Sequence, residues 1–321
     1  MRLGVHDPAP VWRGATPGDA LRESVELARQ VERLGYHRYW VAEHHATPAL
    51  ASSSPAVLAS HILGATSTIR VGAGVVLLPY HSPLTIAEQF GTLAALHPGR
   101  TDLGIGRGQG GPEEASRRLG QGRRQSYAEQ FAELAAYLDG TSPLPASPRA
   151  AASPEIVIVG NSESSAEFAG RAGLPYIYAE LFRPGLAAPT LALYRKAFHP
   201  TPDRPAPVAG VAVGAVLADT DEEALRLARA FVLGQLIMRT ADPHTLLPTA
   251  DEAASIGLTA AQEAFVAEKL APTYVGSPAT VEPRFTELVE SSRAEELLVI
   301  SPIPGLDHRT HSYELLASLL R

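Results

Sequence analysis

The most chemically informative segment of the chain is residues 39–45, where an apolar strand ends in a carboxylate and two imidazoles. These three groups belong to Glu43, His44 and His45. In a parallel α/β barrel the carboxyl ends of the strands face the active-site mouth. A single histidine at such a position is more often a structural or surface residue. Three consecutive titratable residues instead favour an active site.

The two histidines are adjacent, and adjacent residues on a strand point to opposite faces. His44 and His45 therefore cannot both bind one ion while the strand stays regular. This argues against a metal-dependent barrel hydrolase that uses both histidines and an acid, and we predict no metal site.

The third predicted strand, residues 69–78, contains Gly72 and Gly74 in an otherwise β-favouring run. Glycine weakens a strand unless a bulge or the close approach of a flat ligand needs the space. Tight packing in the interior of a barrel would explain the two glycines nearly as well, so both interpretations stay open.

Arg107 follows the fourth predicted strand and stands between Gly106 and Gly108. The spacing of glycines here does not match a dinucleotide fingerprint. It does let the backbone and the guanidinium approach an anion closely. We predict that Glu88, in the preceding helix, is an ion-pair partner of Arg107.

Asn161, Ser162 and Ser165 follow the fifth predicted strand, where the chain enters a helix. Backbone N–H groups and hydroxyls at a helix N-terminus bind phosphate well. An ordinary helix cap is the alternative, because serine and asparagine are favoured there in any case. With Arg107 one strand away in a barrel, an anion site becomes the better interpretation.

The elements that would position these residues alternate between strand and helix, which is typical of parallel βα units. Amphipathic helical windows include 18–35, 119–138 and 259–270. Eight such strands predict a (β/α)8 barrel, with an open doubly wound sheet as the runner-up. The predicted strands are residues 2–7, 37–43, 69–78, 101–106, 155–160, 175–181, 208–217 and 296–301.

Two segments depart from this repeat. Residues 141–154 are rich in proline, serine and alanine and are predicted to form an exposed loop. Residues from about 239 to 290 form a predicted insertion before the last strand, with a turn at 272–276. Such an insertion is either a lid or a solvent-facing helical excursion. No boundary divides the chain into two domains.

Composition narrows the function classes. The chain has 321 residues and a formal net charge of −7, which argues against nucleic acid as a partner. It has no cysteine, and therefore no disulfide, thiolate metal site or cysteine nucleophile. Neither a signal peptide nor an apolar run of about 20 residues is evident. We expect a cytoplasmic protein that does not enter a membrane.

Taken together, these motifs resemble the bacterial-luciferase-like flavin monooxygenase family. The resemblance covers nearly the whole chain and is most specific between residues 40 and 107, where several motifs occur in the right order. It rests on the sequences WVAEHH at 40–45, GAT at 64–66, IRVG at 69–72, LP at 78–79, AEQ at 87–89, PGR at 98–100, GIGRG at 104–108, GNS at 160–162, AGLP at 172–175 and YVGSP at 274–278.

The resemblance implies a (β/α)8 barrel that binds reduced FMN and uses dioxygen to oxidise a small organic substrate. A separate NAD(P)H flavin reductase would supply the reduced flavin, and a homodimer is expected. Carried over by position, His44 is the active-site imidazole, with a pKa near neutrality that suits proton transfer. Glu43 is expected to orient either His44 or His45, and His45 to support its loop through a hydrogen bond. Gly74 and Val75 form a strand kink against the isoalloxazine ring, where relatives tend to have a non-proline cis peptide. The phosphate is assigned to Arg107, Asn161, Ser162 and Ser165.

Other activities of the same superfamily stay open. A deazaflavin coenzyme would need further cations for its acidic tail, and besides Arg107 the candidates are Arg117, Arg118, Arg123 and Arg124. A non-catalytic flavin-binding protein is a third possibility, against which the presence of Glu43 and His44 argues. The sequence around 106–111 departs from that of light-emitting luciferases, so we do not expect light emission or aldehyde specificity.

Overall fold

A computed structural model describes residues 1–120, 125–240 and 244–320 of the chain. Arg123, Arg124 and part of the predicted insertion, 241–243, lie outside the described residues. The strands are β1 (Arg2–Asp7), β2 (Arg38–Val41), β3 (Arg70–Leu77), β4 (Thr101–Gly106), β5 (Glu155–Gly160), β6 (Tyr176–Ala179), β7 (Ala209–Leu217), β8 (Tyr274–Gly276) and β9 (Glu296–Ile300).

The helices alternate with these strands. They are α1 (Pro17–Arg33), α2 (Pro55–Ala65), α3 (Pro83–Leu96), α4 (Glu113–Leu119), α5 (Tyr127–Asp139), α6 (Glu163–Arg171), α7 (Ala187–Ala197), α8 (Asp221–Thr240), α9 (Ala250–Ser255), α10 (Ala260–Leu270), α11 (Pro278–Ser292) and α12 (Leu306–Leu319). Among the described residues, no helix is both long enough and apolar enough to cross a lipid bilayer.

Eight of the strands close into a parallel ring. The order β1 to β7 is continuous, β7 pairs with β9, and β9 pairs with β1. The predicted barrel is confirmed, and the open doubly wound sheet is wrong. The eight predicted strands all lie in this ring, and those at 2–7, 101–106 and 155–160 have the predicted bounds.

The predicted turn at 272–276 is wrong, because Tyr274–Gly276 forms β8 outside the ring. β7 pairs with β9 through Gly210–Gly214, and its last residues, Ala215–Leu217, continue past the ring and pair with β8. This partner lies 59 residues further along the chain (274 minus 215). Local turn chemistry carries no information about such a pairing.

The predicted helical window 119–138 also needs correction. Helix α4 ends at Leu119, and α5 begins only at Tyr127. Ser126 sets this start, because its hydroxyl accepts the Glu129 N–H while the Glu129 carboxylate accepts the Ser126 N–H. Such a reciprocal capping box satisfies two N–H groups that the first helical turn leaves free. Residues 141–154 contain no regular helix or strand, as predicted.

The barrel interior is filled by Trp40 with apolar residues of four other strands, Val157, Ile177, Ala212 and Leu298. The glycines of β3 make room there. A Cβ on Gly74 would lie 2.7 Å from the Trp40 indole, and one on Gly72 would overlap the carbonyl of Asp102. The register between β3 and β4 also shifts between Ala73 and Val76. Tight packing and a bulge therefore both contribute to the glycine pattern.

The amino-terminal end of the barrel is closed by a buried ion-pair network. Arg38, at the start of β2, pairs with Asp102 at 3.0 Å and with Glu296 at 2.7 Å. Arg70, at the start of β3, pairs with Asp102 at 2.6 Å. The same carboxylate accepts the Trp40 indole N–H at 2.8 Å. These charges lie at the end of the barrel that usually serves stability.

The segment of the predicted insertion lies next to the loops that follow β1 and β2. Helices α8, α9 and α10 share a buried apolar cluster that includes Trp12 and Ala49. Leu247 belongs to this cluster, and its carbonyl accepts the Arg13 N–H at 2.7 Å. The insertion through α10 thus packs at the carboxyl ends of the strands, the face that carries active sites in such barrels, whereas α11 packs against α7 and α12.

Candidate active site

A cavity of about 720 Å³ opens among the carboxyl ends of the barrel strands. Every residue predicted for the site lines it: Glu43, His44, Gly74, Val75, Arg107, Asn161, Ser162 and Ser165. Residues so far apart in sequence share one cavity because the ring brings successive strand ends together. Their functions stay predictions.

The peptide bond between Gly74 and Val75 is cis, as the resemblance implied. Both residues lie in the cavity wall. The carbonyl oxygen of Gly74 accepts a hydrogen bond from Nε2 of His6, the residue before the end of β1. A histidine that the sequence analysis missed thus supports the wall at this point.

Glu43 is buried, and its carboxylate is fully occupied by hydrogen bonds. One oxygen binds Nε2 of His45 and Nε2 of His81, each at 2.7 Å, and the other accepts the Leu77 N–H at 2.9 Å. Burial alone would raise the pKa of Glu43, but the His81 hydrogen bond and charge, with the Leu77 and His45 hydrogen bonds, hold it below its ordinary value. Glu43 is therefore ionised, and its hydrogen bonds connect the loop after β2 with the end of β3 and the loop that follows it.

Glu43, His45 and His81 form a group whose possible metal-ligand atoms lie close together. It is the only such group of a carboxylate and two imidazoles in the described part of the chain. The two imidazoles of this cluster belong to His45 and His81, whereas the sequence analysis considered His44 and His45; His44 is not part of the cluster. Hydrogen bonds at 2.7 Å account for the close spacing. As predicted, His45 supports its loop and is separated from His44.

His44 lines the cavity, and its Nδ1 is buried with no hydrogen-bond partner among the described residues. Burial, and then the neighbouring His6 and His45, lower the pKa of His44 to about 4, while Glu43 opposes the shift. The near-neutral pKa expected for this imidazole is therefore wrong. The sequence shows neither the burial of His44 nor its proximity to His6. His44 is uncharged at pH 7.

We expect the lowered pKa of His44 to make the free energy of unfolding depend on pH. His44 has a pKa near 6.5 in the unfolded chain and about 4 in the folded protein. Between these values the unfolded chain binds a proton that the folded protein does not. The contribution of His44 is therefore complete above about pH 6.5 and is lost as the pH falls towards 4. Denaturant unfolding between pH 4 and 7 should show a shallower pH dependence for His44→Gln than for the wild type.

An NMR titration of the His44 ring in the ligand-free protein provides the direct check. The ring should stay neutral down to about pH 5. A His44 midpoint above pH 6 would contradict the prediction.

The β5–α6 junction has the features of a helix cap. Ser162 is the N-cap of α6, and its hydroxyl accepts the Ser165 N–H at 3.2 Å. The Ser165 hydroxyl lies 2.9 Å from the Tyr176 hydroxyl. The N-cap interpretation is thus confirmed. Because the junction also lines the cavity, the cap does not exclude the predicted anion site.

Arg107 extends from the end of β4 to this junction. Its Nη2 donates to the hydroxyl of Ser164 at 3.3 Å, and its guanidinium lies 5.4 Å from the centre of the Tyr127 ring. The predicted ion pair with Glu88 is wrong, because Glu88 instead accepts the Ser147 N–H at 3.4 Å. Arg107 is exposed and faces the cavity with its charge available.

Several cavity residues escaped the sequence analysis. His6 could have been found by the rule that singled out His44, since both follow an apolar run at the carboxyl end of a strand. Ser164 and Arg171 lie on α6, in its first and last turns, and both line the cavity. Most of the remaining wall is apolar and includes Leu181, Phe182, Leu298 and Ile300, which motif analysis cannot distinguish from core residues.

Both the sequence and the fold are similar to those of known proteins. Residues 1–295 match the family described as luciferase-like monooxygenase. Uncharacterized protein YvbT of Bacillus subtilis is 38% identical over 323 residues, which span 99% of this chain and 96% of the relative. The solved structure of apo-MsnO8 is 39% identical, covers 99% of this chain and 98% of its own, and has a TM-score of 0.89.

More distant solved structures share the fold alone. The oxygenating constituent of 3,6-diketocamphane monooxygenase from Pseudomonas putida, in complex with FMN, is 21% identical with a TM-score of 0.70 and covers 99% of this chain and 97% of its own. An F420-dependent secondary alcohol dehydrogenase is 15% identical with a TM-score of 0.71 and covers 100% and 99%. The fold thus accommodates both a flavin and a deazaflavin coenzyme.

Proposed function

The chain belongs to the luciferase-like monooxygenase family, and on this premise we propose that it is a flavin-dependent monooxygenase. It would use reduced FMN and dioxygen to oxidise a small organic substrate. One observation carries the proposal: a single cavity combines an anion-binding end, Arg107 with Ser164 at the start of α6, and a buried imidazole, His44. A phosphate at one end would fix a ring system beside the imidazole.

The residues of the cavity suit a single phosphate. Arg107 and the hydroxyls of α6 supply charge-assisted hydrogen bonds, and the helix N-terminus adds its partial positive charge. When bound, reduced FMN would supply the electrons that activate dioxygen. The protein would orient the ring, exclude water and offer the neutral imidazole of His44 as a proton acceptor.

A deazaflavin coenzyme fits the described residues less well. Its acidic tail would require cations beyond Arg107, yet Arg117 and Arg118 both pair with Glu114 on their own helix. Arg171 lies in the cavity wall, but Glu167 holds it at 3.0 Å. These contacts favour FMN, and the coenzyme test below includes the alternative.

The proposal includes two partners. A separate NAD(P)H flavin reductase would supply reduced FMN, because the chain carries no nicotinamide fingerprint. A second copy of the chain would form a homodimer through the barrel helices. In support, Val57 on α2 and Leu96 on α3 expose 68% and 65% of their surface, and these helices are neighbours.

Arg107→Ala should weaken FMN binding much more than riboflavin binding. Riboflavin lacks the phosphate, so only FMN loses a charge-assisted hydrogen bond, a loss of about 1.5–3 kcal/mol or roughly 10- to 100-fold in Kd. Fluorescence titration of the two flavins with the wild type and the variant measures the difference. Arg33→Ala, an exposed change at the far end of α1, is the control. Equal weakening of both flavins would remove the anion-site assignment.

The decisive experiment adds reduced FMN to the protein without oxygen and then admits dioxygen. We expect a new absorbance band to form when oxygen is admitted. This band should decay more slowly than free reduced FMN is oxidised. Reduced deazaflavin, tested in parallel, should be neither bound nor oxidised. Binding of the deazaflavin with hydride transfer would overturn the monooxygenase proposal. Flavin binding with no effect on the oxygen reaction would favour a flavin-storage protein instead.

A further inference from the structure

The loop that joins β6 to α7, residues 180–186, places a large apolar ring in the wall of the cavity. Phe182 exposes 69% of its surface, more than any other large apolar side chain in the described part of the chain. Leu186, on the same loop, is also exposed. An apolar ring at the mouth of a ligand-sized cavity differs from one scattered on the surface, because a ligand in the cavity can cover it.

The loop holds Phe182 in this position through its own hydrogen bonds. The Phe182 N–H donates to the carbonyl oxygen of Ala179, at the end of β6, at 3.2 Å. The buried carboxylate of Glu180 accepts the N–H of Gly185, near the other end of the loop. The backbone on both sides of Phe182 is therefore fixed, and the exposure of the ring is part of the fold.

Arg183 ties the same loop to the β5–α6 junction. Its Nη1 donates to the carbonyl oxygen of Asn161 at 3.3 Å, and its own carbonyl accepts the Tyr178 hydroxyl at 2.8 Å. Among the described residues of this loop, Leu181 and Phe182 line the cavity and Arg183 does not. The loop thus adds apolar surface to the cavity without adding the charge of Arg183.

The charges of the cavity wall lie on other elements. Arg107 follows β4 and Arg171 lies on α6, whereas the carboxylate of Glu43 is occupied by two imidazoles and a backbone N–H. A charged ligand group at the opposite side would lose its hydration and gain no partner. Strands β6, β7 and β9 and the loop after β6 contribute only apolar residues to the wall, here called the apolar end: Ala179, Leu181, Phe182, Ala212, Leu298 and Ile300.

A second copy of the chain is the other candidate for covering Phe182. The exposed residues of the proposed dimer surface, Val57 and Leu96, lie on the helices that follow β2 and β3. In the ring of eight strands β6 stands opposite β2. Phe182 is therefore continuous with the cavity and separate from that surface, which favours a ligand of the cavity as its partner.

Building on the proposed function, we propose that the apolar end binds the substrate, that the bound part of the substrate is uncharged and apolar, and that Phe182 determines this specificity by covering it. Arg107 and Ser164 hold the coenzyme phosphate at the other end, so the two ligands occupy different parts of one cavity. The substrate class is an aliphatic or aromatic compound whose bound part lacks carboxylate, phosphate and ammonium groups.

The test uses 1-hexanol and 1-octanol as uncharged probes and octanoate as the charged counterpart. Isothermal titration calorimetry measures their dissociation constants with flavin-free and with FMN-loaded protein. We expect 1-octanol to bind roughly 15-fold more tightly than 1-hexanol, about fourfold for each buried methylene. Octanoate should bind FMN-loaded protein at least about tenfold more weakly than 1-octanol, because the phosphate then occupies Arg107 and the apolar end offers no partner for a carboxylate.

Variants of the exposed ring assign the effect to Phe182. Phe182→Ala should weaken 1-octanol binding about tenfold, because the apolar contact is lost, and should leave the FMN dissociation constant unchanged. Phe182→Leu keeps apolar surface and should retain most of the affinity. Leu144→Ala, which removes an exposed apolar side chain from the loop before β5, is the matched control and should change neither ligand.

Four results would overturn the proposal. They are no binding of either alcohol to the wild type, wild-type affinity for 1-octanol in Phe182→Ala, octanoate bound by FMN-loaded protein as tightly as 1-octanol, and equal weakening of FMN and 1-octanol in Phe182→Ala. A dimer that dissociates in Phe182→Ala, measured by size-exclusion chromatography, would also overturn it by assigning the ring to a subunit contact. If the wild type binds no FMN but its affinity for 1-octanol still depends on Phe182, the proposed function fails and the apolar site stands.

Discussion

Replacing His44 by alanine is expected to lower substrate oxidation about 100-fold or more while leaving the affinity for reduced FMN nearly unchanged. General acid–base catalysis by a positioned side chain contributes about 10²- to 10⁴-fold. His44 faces the cavity and is neutral at pH 7, since its pKa is about 4. It is therefore unprotonated throughout the ordinary pH range and would act as a weak base. Single-turnover oxidation of enzyme preloaded with reduced FMN separates this effect from binding.

His44→Gln is the matched variant, because glutamine can form hydrogen bonds but cannot carry a proton at these pH values. It should lose nearly as much activity as His44→Ala if His44 transfers a proton. Recovery of most of the activity in His44→Gln would reduce the role to hydrogen bonding. His45→Gln is a second comparison, since His45 binds Glu43. Wild-type turnover in His44→Ala would exclude a catalytic function for this imidazole.

The strands could be predicted because each is a short segment rich in apolar, mostly β-favouring residues between polar or proline-rich segments. The bounds of β1, β4 and β5 follow from such runs alone. Strand β8 could not be found this way, because it has only three residues and pairs with an extension of β7. Similarly, α5 begins at Tyr127 because of a capping box whose upstream residues continue a helix-like pattern. Tertiary pairing and caps decide such boundaries, and periodicity does not show them.

The candidate site could be predicted at the level of residues but only partly at the level of contacts. Strand ends converge in any closed barrel, so Glu43, His44 and Arg107 were expected to meet at one end. The hydrogen-bond partners of the site residues could not be predicted in this way. The His81 contact to Glu43 spans 38 positions and the His6 contact to Gly74 spans 68. The low pKa of His44 is caused first by burial and then by the neighbouring His6 and His45, so a sequence-based value near neutrality is wrong.

A substitution in the ion-pair network at the amino-terminal end of the barrel should have a large effect on stability. Asp102 is fully buried and binds Arg38, Arg70 and the Trp40 indole. Asp102→Ala would leave the buried Arg38 charge with fewer partners and the indole N–H without an acceptor. Breaking a buried pair by removing one partner costs about 3–5 kcal/mol. We expect a loss of this size in the free energy of unfolding, measured by urea denaturation.

Two comparisons give this prediction its meaning. Asp203→Ala removes an exposed carboxylate and should change the stability by less than about 0.5 kcal/mol. Asp102→Asn keeps an acceptor for Trp40 but removes the charge, so its loss should fall between the other two. If Asp102→Ala were no less stable than Asp203→Ala, the network would not stabilise the barrel. Because the network lies at the opposite end from the cavity, folded Asp102→Ala should still bind FMN with the wild-type preference between FMN and riboflavin. Loss of that preference in the folded variant would instead show that the network shapes the cavity through Trp40, which binds Asp102 and lies beside Gly74 of the cavity wall.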